Sequence, residues 1–387
     1  MNIRKMRTLD NRYSTSHHLT YPLFVVAMVL SGSVHAYEWT LDPTLSADLM
    51  HTDNLQMSVT NKQSDTRLQI RPTLTATVED ETEVLTLNGG LVIERYNQAG
   101  RRDRNDPFLS LSWDRFQEQT TYGLDASFRQ EATLTSEEED SGILNVAGEK
   151  RSFNISPHWT GEVDAKNSIT VSGSASDVSY DIASFTDRRD YNITAAWNHE
   201  LDARRVINYK ASATANRPDS VNADSNYYGL TVGLTQEISE LMSFNVSGGL
   251  SHVAPETGNS TNGYLFDAGV NRQGQYDSVD AGFIINLSPS SLGTVRENYR
   301  LNFNCSRELT PYTSFTFAAN ASRSKTAGGN ASSENTSYFV QPGLKWQLNE
   351  ELSLNASYRY RRSELGSVGD SAVANSIQAA IQYSPKY

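Results

Sequence analysis

Apolar and polar side chains alternate with a period of two in segment after segment of this chain. In residues 67–78 every odd position is Arg, Gln or Thr, and every even position is apolar or Pro. Because successive side chains of a β-strand point to opposite faces, this period predicts strands with one apolar and one polar face. The pattern recurs at 121–134, 153–159, 242–250, 279–287, 299–305, 338–346 and 352–360.

The connections between these segments alternate between short and long. Short acidic turns lie near residues 79–81, 117–119, 162–166, 200–203, 237–240, 308–311 and 349–352. Longer polar loops lie near residues 51–65, 97–107, 136–149, 216–225, 253–262, 325–335 and 363–373. Short turns at one rim and long loops at the other are typical of an outer-membrane barrel. We therefore predict an all-β fold, a transmembrane antiparallel up-and-down β-barrel of about 18 strands, with 16 strands as the alternative count.

Composition fits this fold better than it fits a soluble sheet protein. The mean hydropathy is -0.52, yet 10% of the residues are aromatic. A barrel explains both values, because only one face of each strand meets lipid. A soluble β-solenoid or sandwich would instead turn the apolar faces into a core. Aromatic residues near the strand ends, as in interfacial girdles, favour the barrel; they are Tyr96, Trp113, Tyr122, Tyr180, Tyr191, Trp197, Tyr264, Tyr312 and Trp346.

The N-terminus has the features of an export signal. Basic residues up to Arg12 precede a short apolar stretch at 22–30, and residues 31–36 end in a small-x-small pattern at Ala36. These features predict a signal peptide over residues 1–36 and an outer-membrane β-barrel over residues 37–387. The formal net charge of -12 argues against nucleic-acid binding, which requires a basic surface.

The C-terminal segment alternates up to an aromatic last residue. Its apolar positions are Ile377, Ala379, Ile381, Tyr383 and Tyr387, with Pro385 as a departure from the usual pattern. The ending resembles the terminal signal by which outer-membrane barrels are recognised for insertion. We therefore expect the barrel-assembly machinery and outer-membrane lipid as partners, and the bacterial outer membrane as the location.

Several short motifs resemble a family of outer-membrane β-barrel porins. They are Pro-Thr-Leu at 43–45, Asp53 and Asn54, residues 68–72, the segment from Glu83 to Tyr96, and residues 133–137. The family includes barrels found with exosortase and exopolysaccharide systems. The resemblance implies a pore-like protein in polysaccharide export, with polysaccharide and periplasmic export components as partners, and it implies no catalytic residues.

The sequence offers no constellation for catalysis. Residues 37–387 contain four histidines, of which His158 shares the polar face of its strand with Ser156. No base and nucleophile can be paired with an orienting group, so we predict no catalytic site, no cofactor and no metal. Cys305 is the one cysteine and lies on an apolar face, which indicates a small hydrophobic side chain.

The polar faces carry many basic side chains. Rings of basic residues in a pore select anions, whereas lumen charges in a sealed barrel simply pair across strands. Both interpretations remain open at this point. The sequence predicts an outer-membrane channel or export barrel for exopolysaccharide or small anionic solutes, with a non-conducting structural or docking barrel as the alternative. The candidate lumen residues are Arg67, Arg71, Arg129, Lys210, Arg300, Lys345, Arg359 and Arg361.

Overall fold

A computed structural model describes residues 37–99, 102–133, 136–137, 148–220, 223–327, 334–365 and 371–385. The predicted signal peptide over residues 1–36 and the terminal Tyr387 lie outside the described residues. In the part that is described, no helix is long and apolar enough to cross a bilayer.

Eighteen strands follow one another along the described chain. They are β1 (Glu38–Thr52), β2 (Asp65–Glu79), β3 (Glu83–Tyr96), β4 (Arg104–Phe116), β5 (Thr120–Ala132), β6 (Glu149–Asp164), β7 (Asn167–Tyr180), β8 (Arg188–Asp202), β9 (Arg205–Pro218), β10 (Ser225–Ser239), β11 (Met242–Pro255), β12 (Thr261–Gln273), β13 (Asp277–Pro289), β14 (Val295–Thr310), β15 (Thr313–Thr326), β16 (Asn335–Gln347), β17 (Leu352–Leu365) and β18 (Ser371–Tyr383).

The strands close into a single barrel. Each strand pairs antiparallel with the next, and β18 pairs with β1. The predicted fold class and the count of 18 strands are confirmed; the alternative of 16 is wrong. Connections after even-numbered strands contain two to four residues and form what we call the short-turn rim. Those after odd-numbered strands contain at least five residues and form the long-loop rim.

The outer and inner faces of the barrel wall differ, as the alternation of apolar and polar side chains requires. On the outer face, Leu230, Leu250 and Ile377 are 66%, 63% and 65% exposed. Such exposure of large apolar side chains is expected where a barrel meets lipid. The outward residues of β18 include Ile377, Ile381 and Tyr383 of the predicted insertion signal, all of them exposed. Pro385 follows the end of that strand.

Two of the tyrosines predicted to lie in the lipid girdle make hydrogen bonds on the lumen side of the wall. The hydroxyl of Tyr96 donates to Glu94 at 3.1 Å, and the hydroxyl of Tyr180 donates to Glu137 at 2.9 Å. Both tyrosines therefore lie on the lumen side, and their placement in the lipid girdle is wrong. The physical reason is that each shares a face with polar lumen residues, Tyr96 with Glu94, and Tyr180 with Ser174 and Ser176.

The Asp53 and Asn54 motif reinforces the seam where the barrel closes. Strands β1 and β18 pair over eight residues, whereas β1 and β2 pair over fifteen. Beyond the last pair, the carboxylate of Asp53 accepts hydrogen bonds from the backbone and side-chain nitrogens of Asn375 at 2.8 and 2.7 Å. The fully buried Asn54 donates to the carbonyl oxygens of Ser58 and Val373 at 2.8 and 3.0 Å.

Replacing Asn54 with Ala should weaken this seam. The change removes two part-buried hydrogen bonds to carbonyl oxygens, so we expect the free energy of unfolding to fall by about 1–3 kcal/mol. Urea unfolding in detergent, followed by tryptophan fluorescence, measures the loss. Asn61→Ala is the matched control, because Asn61 is an exposed residue of the same loop. Equal stability of the two variants would contradict a role of Asn54 in closure.

Candidate functional site

A cavity of about 610 Å³ occupies the long-loop half of the barrel. Its walls include residues of β5 and of β14, which lie on opposite sides of the barrel, so these side chains point into the lumen. Among the described residues, seven arginines and three acidic side chains line it. The arginines are Arg67, Arg71, Arg104, Arg129, Arg300, Arg359 and Arg361, and the acids are Glu94, Asp106 and Glu131.

Six of the eight predicted lumen residues meet in this cavity. Of the other two, Lys210 lines a second cavity of about 500 Å³ together with Asp190 and Asp267. Lys345 lines neither cavity and lies opposite Asn355 near the end of β16. Arg104 and the lumen-facing Phe108 and Phe339 were not among the residues predicted from the sequence. Alternation along β4 would have indicated the first two, because Arg104 and Phe108 share a face with Ser110 and Ser112.

Part of the basic charge is paired across strands. Arg67 contacts Asp48 and Glu94 at 3.1 and 3.2 Å. Arg104 contacts Glu94 at 2.7 Å and Asp106 at 2.9 Å. These residues form one ionic network near the long-loop rim. For Arg67 and Arg104, the network corresponds to cross-strand pairing, one of the two interpretations that the sequence left open.

Two other arginines lie over aromatic rings. The guanidinium carbon of Arg71 is 5.1 Å from the ring centre of Phe108, and that of Arg359 is 4.7 Å from the ring centre of Phe339. Cation–π contacts at these distances hold a guanidinium in place without neutralising it. Arg359 also donates to Gln341 at 2.7 Å. Arg71 forms no ion pair with any carboxylate of the described residues.

The arrangement gives this half of the lumen a positive potential. Seven guanidinium groups face the three carboxylates of the lining in a confined space with protein walls, and a fourth carboxylate, that of Asp48, contacts Arg67. Such walls focus the field of the charges and raise the local concentration of counter-ions. The site can therefore attract and bind anions through hydrogen bonds from guanidinium groups, the geometry that suits carboxylate and phosphate.

The two ends of the lumen differ in packing. Near the long-loop rim, lumen-side residues around the whole circumference are at most 6% exposed; they are Thr52, Glu94, Asp106, Lys150, Arg188, Asn216, Ser251, Arg296, Ser324, Ser363 and Ala374. In the short-turn half, the side chains of Asp114, Asp125 and His158 are 33%, 53% and 30% exposed. The lumen is therefore packed at the long-loop rim and solvated in its other half.

The histidine singled out in the sequence contacts acids. His158 lies with its Nε2 atom 3.2 Å from Asp114 and its Nδ1 atom 4.0 Å from Asp125. The neighbouring hydroxyl of Ser156 accepts a hydrogen bond from Asn154 at 2.9 Å. Across the described ranges, no group of three or more His, Cys, Asp and Glu side chains is arranged to hold a metal ion.

Solved structures share this architecture. Pseudomonas aeruginosa OccK2 (OpdF) matches at 9% identity with a TM-score of 0.52, covering 90% of this chain and 97% of that one. The same protein in complex with glucuronate matches at 9% identity and a TM-score of 0.51, covering 89% and 98%. Acinetobacter baumannii OccAB3 matches at 9% identity and a TM-score of 0.50, covering 90% and 100%.

These similarities establish the fold that the chain shares with outer-membrane porins of the Occ and Opd type. The predicted location, the bacterial outer membrane, agrees with that fold and with the closed barrel. No protein-family model matches the sequence. No curated protein matches it either.

Proposed function

We propose that this chain is an outer-membrane channel that passes anionic solutes along its arginine-lined lumen. The observation that carries the proposal is the cavity in which seven arginines face three acidic side chains. Basic side chains that line a pore favour anions over cations. Arg71 and Arg359, held over phenyl rings, would offer donors to a passing carboxylate.

The proposed cargo is an acidic sugar, either a small solute or a segment of an exopolysaccharide. Amide and hydroxyl groups lie between the arginines of the cavity, including Gln69, Gln378 and Ser376. They suit the hydroxyl groups of a sugar, while the arginines suit its carboxylate. The complex of OccK2 with glucuronate supports this class of ligand. The polymer is supported only by the short sequence motifs, such as residues 43–45 and 68–72, that resemble barrels of exopolysaccharide systems. Periplasmic export components would be partners in the polymer case.

A second candidate function is a non-conducting structural or docking barrel. The packed long-loop rim favours it, because a lumen that never opens at one end passes nothing. Uptake into liposomes separates the two functions. We expect vesicles containing the purified protein to swell faster in glucuronate than in glucose, sugars of nearly equal size. Faster entry of glucose would contradict the anionic cargo, and entry of neither sugar through a folded, heat-modifiable barrel would favour the docking function.

A further inference from the structure

A third cavity, of about 340 Å³, lies against strands β12 to β17. It occupies the short-turn half of the lumen, since its lining includes Gln273, the last residue of β12, and Ser278, the second residue of β13. Asp280 is the one charged side chain among the described residues that line it. The other polar side chains of the lining are amides and hydroxyls, including Asn304 and Thr316. The cavity therefore suits an uncharged ligand that both donates and accepts hydrogen bonds.

The hydroxyl groups of this cavity follow one row of paired residues from strand to strand. We call it the hydroxyl row, and its members are Gln273, Ser278, Ser306, Thr316, Gly343 and Ser357. Because the strands of a barrel are tilted and staggered, such a row climbs through the lumen. It starts at the short-turn rim, and its last residue pairs with Gln378, which lines the arginine-lined cavity.

A second row lies two residues away from the first on each strand and ends beside an arginine. We call it the amide row, and its members are Asn271, Asp280, Asn304, Ala318 and Gln341. Gln341 accepts a hydrogen bond from Arg359 at 2.7 Å and donates one to Ser357 at 3.0 Å, so it joins both rows to the arginine-lined cavity. Neighbouring strands lie about 4.8 Å apart, and the five steps from β12 to Arg359 on β17 therefore span about 24 Å. The two rows together form what we call the polar track, which is long enough for several linked sugar units.

Much of the hydrogen-bonding capacity of the polar track is not used by the protein. Within the described ranges, five of its side chains make no hydrogen bond to another residue: Gln273, Ser278, Asn304, Ser306 and Thr316. On β2 and β3, by contrast, the lumen side chain of Asn88 donates to that of Thr75 at 2.7 Å. A ligand whose own groups donate and accept can replace water at unpaired side chains without a loss of hydrogen bonds.

Gly343 leaves space in the middle of the polar track. A Cβ atom at this position would lie 2.7 Å from the Oγ1 atom of Thr316 and 3.2 Å from the Cβ atom of Ser357. The glycine therefore forms a depression between two hydroxyl groups, where a ligand can approach the backbone closely.

We infer that the polar track binds the uncharged sugar units of a glycan whose acidic unit lies at Arg359. The inference rests on the proposed function, in which the arginine-lined cavity takes an acidic sugar. Sugar hydroxyls donate and accept hydrogen bonds, as the amides and hydroxyls of the track do. The carboxylate of Asp280 accepts from such hydroxyls but repels a second carboxylate, so the acidic unit is directed to the arginine end. The ligand class is therefore a chain that joins uronate and neutral sugars, and a single uronate uses only part of the site.

Calorimetric titration of the purified protein in detergent tests the track without requiring conductance. The probes are glucuronate and a trisaccharide in which one glucuronate is linked to two xylose units. We expect the trisaccharide to bind roughly tenfold more tightly than glucuronate, since the net gain from one or two hydrogen bonds gives a factor of that size. In a variant with Asn304→Ala and Thr316→Val, we expect the trisaccharide to bind only as tightly as glucuronate, whose own affinity stays unchanged.

The matched control carries Thr75→Val and Asn88→Ala, which also remove one hydroxyl and one amide from the lumen. These two side chains bond to each other, so their joint removal leaves neither of them unpaired. Equal affinities of the wild-type protein for both probes, or equal trisaccharide binding by the two variants, would refute the track. Glucuronate binding by the wild-type protein would then still support the arginine-lined cavity, whereas its absence would refute the anionic cargo of the proposed function.

Discussion

Replacing Arg71, Arg129, Arg300, Arg359 and Arg361 together with Gln should remove most of the anion preference of the channel. These five side chains line one cavity with only three acidic groups, so their loss makes the net charge of its lining negative. We expect the ratio of anion to cation permeability to fall roughly tenfold, the scale on which focused fields concentrate small ions. Reversal potentials in a salt gradient measure this ratio.

The control removes five arginines of the same rim from the outer face. Arg151, Arg189, Arg323 and Arg362 have side chains that are 59%, 57%, 54% and 37% exposed, and Arg95 is also exposed on that face. Changing these five to Gln alters the total charge by the same amount but leaves the lumen intact. An equal loss of selectivity in both variants would mean that the rim as a whole, and not the lumen, sets the preference.

Gly249→Val should prevent the barrel from forming, whereas Gly248→Val should be tolerated. A Cβ atom at position 249 would overlap the carbonyl oxygen of Leu230 on β10, and a branched side chain also meets Thr231. A Cβ atom at position 248 meets no atom within 4 Å, because that position faces outward. We expect Gly249→Val to cost about 3 kcal/mol or more, since the backbone of two paired strands must separate.

The shift in electrophoretic mobility between heated and unheated samples reports whether the two variants fold. Both substitutions add the same side chain to neighbouring positions of β11, so strand propensity is matched. Folding of both variants to the same extent would show that the wall at β10 and β11 is looser than the close approach at Gly249 implies.

The alternation of apolar and polar side chains was enough to predict most of the fold. It predicted the strands, their number and the inward position of six arginines, because a period of two fixes which face each residue occupies. The aromatic residues of the lipid girdle were harder to predict, since a tyrosine near a strand end can lie either at the lipid interface or in the polar lumen. Tyr180 could have been assigned from its face, which it shares with Ser172, Ser174 and Ser176.

The burial of the connection between β13 and β14 could not be predicted from the sequence. Residues 290–294 are as short as an ordinary turn, and their Ser, Leu, Gly and Thr give no sign of burial. The carbonyl oxygen of Ser291 accepts a hydrogen bond from the backbone nitrogen of Thr186, which lies more than 100 residues earlier in the chain. Local pattern carries no information on such contacts. The pairing of Arg67 and Arg104 with Glu94 was unpredictable for the same reason, because it depends on the register of three strands.

Planar-bilayer conductance of the refolded protein in a salt gradient tests the central claim most directly. An arginine-lined channel should give stable conductance steps and a reversal potential with the sign of anion preference. Conductance with cation preference would contradict the role of the arginines. A folded, membrane-inserted barrel without any conductance would contradict the channel function and favour the structural or docking function.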